Sequence, residues 1–228
     1  MSTSAKVVNL EVHSDTVCPF CYVGYRRINQ AIRELEAEGL PATFSVRFSP
    51  FQLDPTLPVS PGENKRERYE RRFGGKEKVE AMIDAMVERG RACEPPIEFS
   101  YGGNVSNTTA SHRLLEKAYE TQGQEGQTKM VQALFTLYFE REGDIGSFDS
   151  LSSAAAEAGV LSKEDALTFL ESEEMKEEVN KGITKSQMRG ISGVPYTIVN
   201  GQFGISGAQE TETFKEVFRK VAKGELKA

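Results

Sequence analysis

The chain of 228 residues holds only three cysteines and two histidines. Three cysteines are too few for a disulfide scaffold. Beyond one close cysteine pair, only Cys93, His13 and His112 remain, and no two of them stand at ligand spacing, so no metal site is expected. Positive charge is in deficit: 28 lysines and arginines face 34 acidic residues, and the net charge of −6 excludes the basic footprint of a nucleic-acid binder. No apolar run reaches the ~18 residues that cross a bilayer. Glycine-rich nucleotide fingerprints are missing too, so nicotinamide and flavin are not expected and no cofactor should be tightly bound. The N-terminus, residues 1–6, is short and polar and runs straight into a strand-like segment. It predicts neither a secretory leader nor a lipid anchor, and the expected location is the cytoplasm.

What is present is the material of a folded protein. Hydrophobic residues make up 38% and charged residues 27%, enough apolar surface for a core and too much for a disordered chain. The length suits one domain or two closely joined ones.

Residues 7–12 are rich in β-branched side chains and precede the turn residues Ser14-Asp15-Thr16, which predicts a strand and its exit. From about Phe20, the side chains Tyr22, Tyr25, Ile28, Ile32 and Leu35 recur at helical spacing, with Gly39 as the stop. Phe44, Val46 and Phe48 then alternate with Ser45, Arg47 and Ser49 as a half-buried strand, closed by Pro50, Pro55, Pro58 and Pro61. From about 63 to 190 nearly every ordered segment reads as helix. Three stripes stand out: Val79, Met82, Ile83 and Met86; Leu114, Leu115, Ala118 and Tyr119 behind an Asn107-Thr108-Thr109 start signal; and Met130, Leu134, Leu137 and Tyr138. Shorter helices follow near 151–158, 164–170 and 173–187, with joints at Gly102-Gly103 and between Gly143 and Gly146.

The end returns to β character. Tyr196-Thr197-Ile198-Val199 and Gln202-Phe203-Gly204-Ile205 flank Asn200-Gly201, a strong hairpin signal because both turn residues must accept positive φ. A final helix starts near Gln209, with Phe214, Val217, Phe218 and Val221 on one face. The order β-α-β, helices, β-hairpin-α predicts an α/β, thioredoxin-like fold with an inserted all-helical domain. The sheet domain is discontinuous, 1–61 and 191–228, and the insert occupies 62–190.

The chemistry is concentrated in Cys18-Pro19-Phe20-Cys21. Cys18 stands at a helix start, where free amides and the helix dipole favour a thiolate, the attacking species of disulfide exchange. Cys21 lies one turn on, placed to resolve a mixed disulfide, and Pro19 suits the first helical position. Far along the chain, Gly193-Val194-Pro195-Tyr196 puts a proline at the head of a strand, which requires an edge, a turn or a cis bond.

The segment Asp15-Thr16-Val17-Cys18-Pro19-Phe20-Cys21-Tyr22-Val23-Gly24 resembles the active-site segment of the DsbA family, in particular its FrnE-like branch. Gly193-Val194-Pro195 is similar to the cis-proline loop of that family, and Ser206-Gly207-Ala208-Gln209 to the opening of its last helix. The resemblance runs over essentially the whole chain. It implies a thiol–disulfide oxidoreductase with Cys18 as nucleophile, Cys21 as resolving thiol and Pro195 as the cis-proline facing them. The Val194 backbone would pair with an extended, disulfide-bearing peptide. Asn107-Thr108 and His112-Arg113 are similar to a stretch that such proteins carry near the active-site face.

Oxidising members carry a histidine where this chain has Phe20, and phenylalanine offers the Cys18 thiolate neither charge nor donor. Asp15 reads either as a proton relay for Cys21 or as a turn residue. Tyr22 reads as groove or core, Phe20 as exposed, and Cys93 as an isolated thiol. Two other functions compete with exchange of protein or glutathione disulfides. Kappa-class glutathione transferases and 2-hydroxychromene-2-carboxylate isomerases share the architecture, so a glutathione-dependent isomerase or transferase acting on a small aromatic or polyketide-like molecule is the alternative, with glutathione as co-substrate. A non-catalytic thioredoxin-like module is the third.

Overall fold

The computed structural model describes residues 6–226. Strand β1 (Lys6–Ser14) buries Val8, Leu10 and Val12 and exposes Val7 and Asn9, so one face of the strand meets a core. It pairs in parallel with β2 (Ala42–Pro50), from Lys6 opposite Ala42 to Ser14 opposite Pro50. A parallel pair needs a crossover, which α1 (Pro19–Ala37) supplies. Pro19 sits in its first turn, and beyond its end Gly39 adopts a φ of +75°.

The insert begins with β3 (Glu63–Asn64), α2 (Lys65–Phe73), α3 (Lys76–Arg91) and β4 (Asn104–Val105). The two short strands pair antiparallel, Glu63 opposite Val105, where the sequence predicts no strand. Two residues cannot display an alternation, and their register is fixed by tertiary bonds: the Lys65 amide donates to Gly103 O (3.1 Å) and Asn104 Nδ2 to Pro61 O (2.8 Å). Next come α4 (Thr109–Phe135), ending in a single π turn over Thr136–Glu140, then α5 (Phe148–Glu157), α6 (Lys163–Glu171) and α7 (Lys176–Met188). The second and third sequence stripes lie on two helical segments of the α4 span, parted at Gly123, whose φ of +62° and ψ of −149° are not helical.

Strand β5 (Tyr196–Val199) joins β1 antiparallel, and β6 (Phe203–Ser206) joins β5, giving the sheet order β2-β1-β5-β6. Asn200 and Gly201 carry φ of +50° and +73°, the turn their sequence requires. Helix α8 (Thr211–Lys223) closes the chain. Helices α1 and α8 cover one face of the sheet, with Tyr25 5.9 Å from Phe48 and Phe218 5.5 Å from Phe44 between ring centroids. Helix α7, though within 62–190, packs on the other face, where buried His13 Nδ1 meets Ser186 Oγ at 2.8 Å.

The outer edge of β2 is closed by side chains at the break in α4. The amides of Val46 and Phe48 donate to Gln124 Oε1 and Gln127 Oε1 (both 2.8 Å), and Gln127 Nε2 returns a bond to Phe48 O (3.0 Å). An amide side chain here imitates a neighbouring strand and hides an edge that would otherwise invite pairing. Gln127 is fully buried, so Gln127→Leu strands the Phe48 amide and carbonyl together. Urea unfolding is expected to show a loss of about 1–3 kcal/mol, and an unchanged midpoint would refute this role.

Candidate active site

Cys18 is the residue that opens α1, with φ −92° and ψ 113°. Its carbonyl accepts the Cys21 amide (3.0 Å) and the Tyr22 amide (3.4 Å), so the first turn carries Cys21 round beside it. Both thiols are free and almost wholly covered, at 3% and 2% exposure. The Cys18 thiol donates to Val194 O (3.6 Å). Cys21 lies deeper, against the Ser14 hydroxyl and the Asp15 backbone. Burial, together with the neighbouring Cys18 sulfur, pushes the Cys21 thiol well above the usual range, so it keeps its proton.

The Val194–Pro195 peptide is cis. Pro195 O accepts the Gly207 amide (2.8 Å), and Arg27 Nη1 donates to Ala208 O (2.8 Å) and Gln209 O (3.3 Å). These bonds fasten the proline loop and the approach to α8 onto α1. Gly24 makes the close approach feasible: a Cβ there would stand 3.1 Å from Pro195 Cγ and 3.7 Å from Ala208 Cβ. Nothing in the sequence pattern separates this glycine from one that merely weakens a helix.

Asp15 is 1% exposed. Its Oδ2 accepts the Leu53 amide (2.8 Å), its carbonyl accepts the Cys18 amide (3.1 Å), and its Oδ1 lies 3.5 Å from His112 Nε2. His112, equally buried, donates Nε2–H to Phe51 O (3.0 Å). The structure thus brings His112 to Asp15 beside the cysteines. Asn107 it does not: its Oδ1 accepts the Thr109 amide (2.9 Å) at the start of α4 and its other bonds reach Gln52 and Pro55. Within the Asn107-Thr108-Thr109 start signal it is Asn107 that supplies the side-chain bond, and Thr108 makes none.

Phe20 is 43% exposed, with the Arg89 guanidinium 5.2 Å from its ring centroid. Tyr22 is fully buried and belongs to the core rather than to a groove. Cys93 is a buried thiol that donates to Arg89 O within the last turn of α3 (3.4 Å). Two lysine and tyrosine features carry no sequence signal. Lys65 is wholly buried, its ammonium 3.8 Å from the Tyr138 ring centroid and bonded to Tyr138 O (3.1 Å), and burial pulls it down to about 8. Tyr69 and Tyr101 stand edge to face at 6.0 Å on the insert. Among the described residues no three His, Cys, Asp or Glu side chains gather as a metal site, and no helix is long and apolar enough to cross a membrane.

A thioredoxin-like sheet with a helical insert, and two cysteines side by side at the head of its first helix, define a thiol–disulfide oxidoreductase. The chain belongs to the DSBA-like thioredoxin domain family, which matches residues 9–219. It is 28% identical to the uncharacterized protein YwbO of Bacillus subtilis, over 96% of this chain and 98% of that one. Among solved structures, a "probable DsbA oxidoreductase", SCO1869 of Streptomyces coelicolor, superposes with a TM-score of 0.81 at 24% identity, covering 97% and 92% of the two chains. The cytosolic disulfide reductase DsbM of Pseudomonas aeruginosa, solved with GSH, superposes at 0.59 with 12% identity, covering 95% and 98%. These two likenesses concern the fold.

Proposed function

We propose that Cys18 and Cys21 catalyse dithiol–disulfide exchange on protein or glutathione disulfides, in the FrnE-like manner. The Cys18 thiolate attacks one sulfur of the substrate, forming a mixed disulfide and expelling the other sulfur as a thiolate that takes up a proton. Cys21 then loses its proton and attacks the Cys18 sulfur, closing the Cys18–Cys21 disulfide and releasing the substrate as a dithiol or thiol. The observation that carries this reading is the placement of both thiols on the first turn of α1, with the Cys18 sulfur against the Val194 carbonyl. Asp15, one bond from the Cys18 backbone and 3.5 Å from His112, is the group we assign to the Cys21 proton.

The electron flow we assign is toward substrate. Exposed Phe20 gives the thiolate no charge and no donor, which favours the reducing part of the range of about −120 to −270 mV that dithiol catalysts span. A reductant suits the cytoplasm, where few cysteines are held as disulfides. Titration against glutathione buffers, with alkylation and intact mass as readout, should give one reversible two-electron transition. In parallel, Cys21→Ser should accumulate a Cys18 mixed disulfide. Persistent single glutathionylation of the wild-type protein without ring closure would overturn the reading and favour a glutathione-dependent enzyme on small molecules.

A further inference from the structure

One arginine of this chain is left without a polar partner. Every other arginine bonds a carboxylate, a backbone carbonyl or the Tyr22 hydroxyl, whereas Arg89 makes no hydrogen bond and no ion pair among the described residues. Acidic residues are in excess, 34 against 28 lysines and arginines, so a free guanidinium is not explained by a shortage of carboxylates. Its neighbours are engaged elsewhere. Arg91 takes Glu88 (2.8 Å), and near the opening of α1 Arg27 takes Glu210 (2.8 Å) and Arg26 the Tyr22 hydroxyl (3.0 Å).

Arg89 is exposed but not loose. Its guanidinium carbon lies 5.2 Å from the ring centroid of Phe20, the exposed residue between the two cysteines. That contact holds the cation without using its N–H donors. The backbone beneath it is fixed. Arg89 O accepts the Cys93 thiol (3.4 Å), Gly90 O accepts the Ile97 amide (3.0 Å), and a Cβ on Gly90 would stand 2.6 Å from Phe99 Cδ2. Phe99 in turn meets Tyr22, the residue after Cys21, at 6.0 Å between centroids, and Arg33 of α1 donates to Glu94 O (3.3 Å) just beyond α3. The end of α3 is thereby docked on the helix that bears the cysteines, and it sets an unpaired cation one ring away from them.

A guanidinium is planar, permanently charged and able to give a carboxylate two parallel hydrogen bonds. Cys18 and Phe20 share the first turn of α1, so a group joined to the Cys18 sulfur passes this cation. A residue one or two places from a linked cysteine stands about 3.5–7 Å along an extended chain, the scale of a single aromatic side chain. Resting on the exchange reading above, we propose that Arg89 is a specificity-determining residue, which receives a carboxylate of the group disulfide-linked to Cys18. Glutathione carries such a carboxylate, and so does a peptide with an acidic residue beside its cystine.

The test uses two matched pairs of disulfides: glutathione disulfide and its carboxyl ethyl ester, and a short cystine-bridged peptide with Glu beside the cysteine and the same peptide with Gln. Rate constants for Cys18 are measured with all four in wild type, Arg89→Gln and Arg89→Lys. The ratio of carboxylate form to capped form should fall about fivefold in Arg89→Gln, the upper end for an exposed ion pair. Arg89→Lys keeps the charge and should restore part of the ratio. In ~1 M salt, where the screening length is about 3 Å, wild type and Arg89→Gln should converge. A fall confined to the glutathione pair, or to the peptide pair, identifies which source Arg89 serves. A ratio that Arg89→Gln leaves unchanged, whether or not both members of a pair slow alike, overturns the assignment while exchange itself stands. A wild-type protein that reacts with none of the four overturns both.

Discussion

Cys18→Ala should abolish disulfide exchange, by at least about a thousandfold, because covalent exchange has no second route once its nucleophile is gone. Cys21→Ser should behave differently. The first attack survives, turnover stops, and the enzyme accumulates as a mixed disulfide that reductant releases. The contrast comes from the positions of the two thiols. The Cys18 sulfur opens onto the Val194 carbonyl in the proline loop, whereas Cys21 lies inward against Ser14 and Asp15. Burial first, and the neighbouring Cys18 sulfur second, hold the proton on Cys21, so Cys18 is the thiol assigned to the first attack. Turnover assays with both variants, with intact mass after quenching, check this. A Cys18→Ala protein that retains turnover would remove Cys18 from the chemistry.

The second large effect is on stability, at Tyr22. This side chain joins the helix that carries the cysteines to the insert: its ring stacks on Phe135 with centroids 4.9 Å apart and lies 6.1 Å from Phe139. Its hydroxyl donates to Glu140 and accepts from Arg26 Nη2 (3.0 Å) and Gln132 Nε2 (2.9 Å). Tyr22→Ala opens a cavity at this junction and should cost about 3–5 kcal/mol. Tyr22→Phe keeps the ring and removes the hydroxyl's bonds to Glu140, Arg26 and Gln132, of which Glu140 and Gln132 retain Thr136 Oγ1, for about 1–3 kcal/mol. Denaturant unfolding of the two variants separates packing from hydrogen bonding. Equal losses would show that the hydroxyl network carries the junction, and a loss below 1 kcal/mol for Tyr22→Ala would show that the insert is held elsewhere.

Much of the site is local and was legible. Cys18 and Cys21 share one helical turn, and a turn is a property of four consecutive residues. The Asn200-Gly201 hairpin and the Pro19 helix start are likewise written in neighbouring positions. Tyr22 was ambiguous because an aromatic on an apolar stripe looks the same whether it faces a groove or a core. The neighbours of Asn107 suit a helix start and a site equally, and the structure shows the first of these in its bond to the Thr109 amide.

What the sequence by itself determined is therefore the four strands of the main sheet, the helical character of the insert, their order and the reactive pair, since each follows from periodicity, turn chemistry or spacing within a few residues. The tertiary structure alone decided the rest. It set Val194 against Cys18, 176 positions away, and His112 against Asp15, and it left Gly24 the room for Pro195. It closed the β2 edge with Gln124 and Gln127 and stood Tyr69 edge to face on Tyr101. Contacts across such distances depend on how the insert docks on the sheet, and docking is fixed by the fit of many side chains at once, which no local pattern contains.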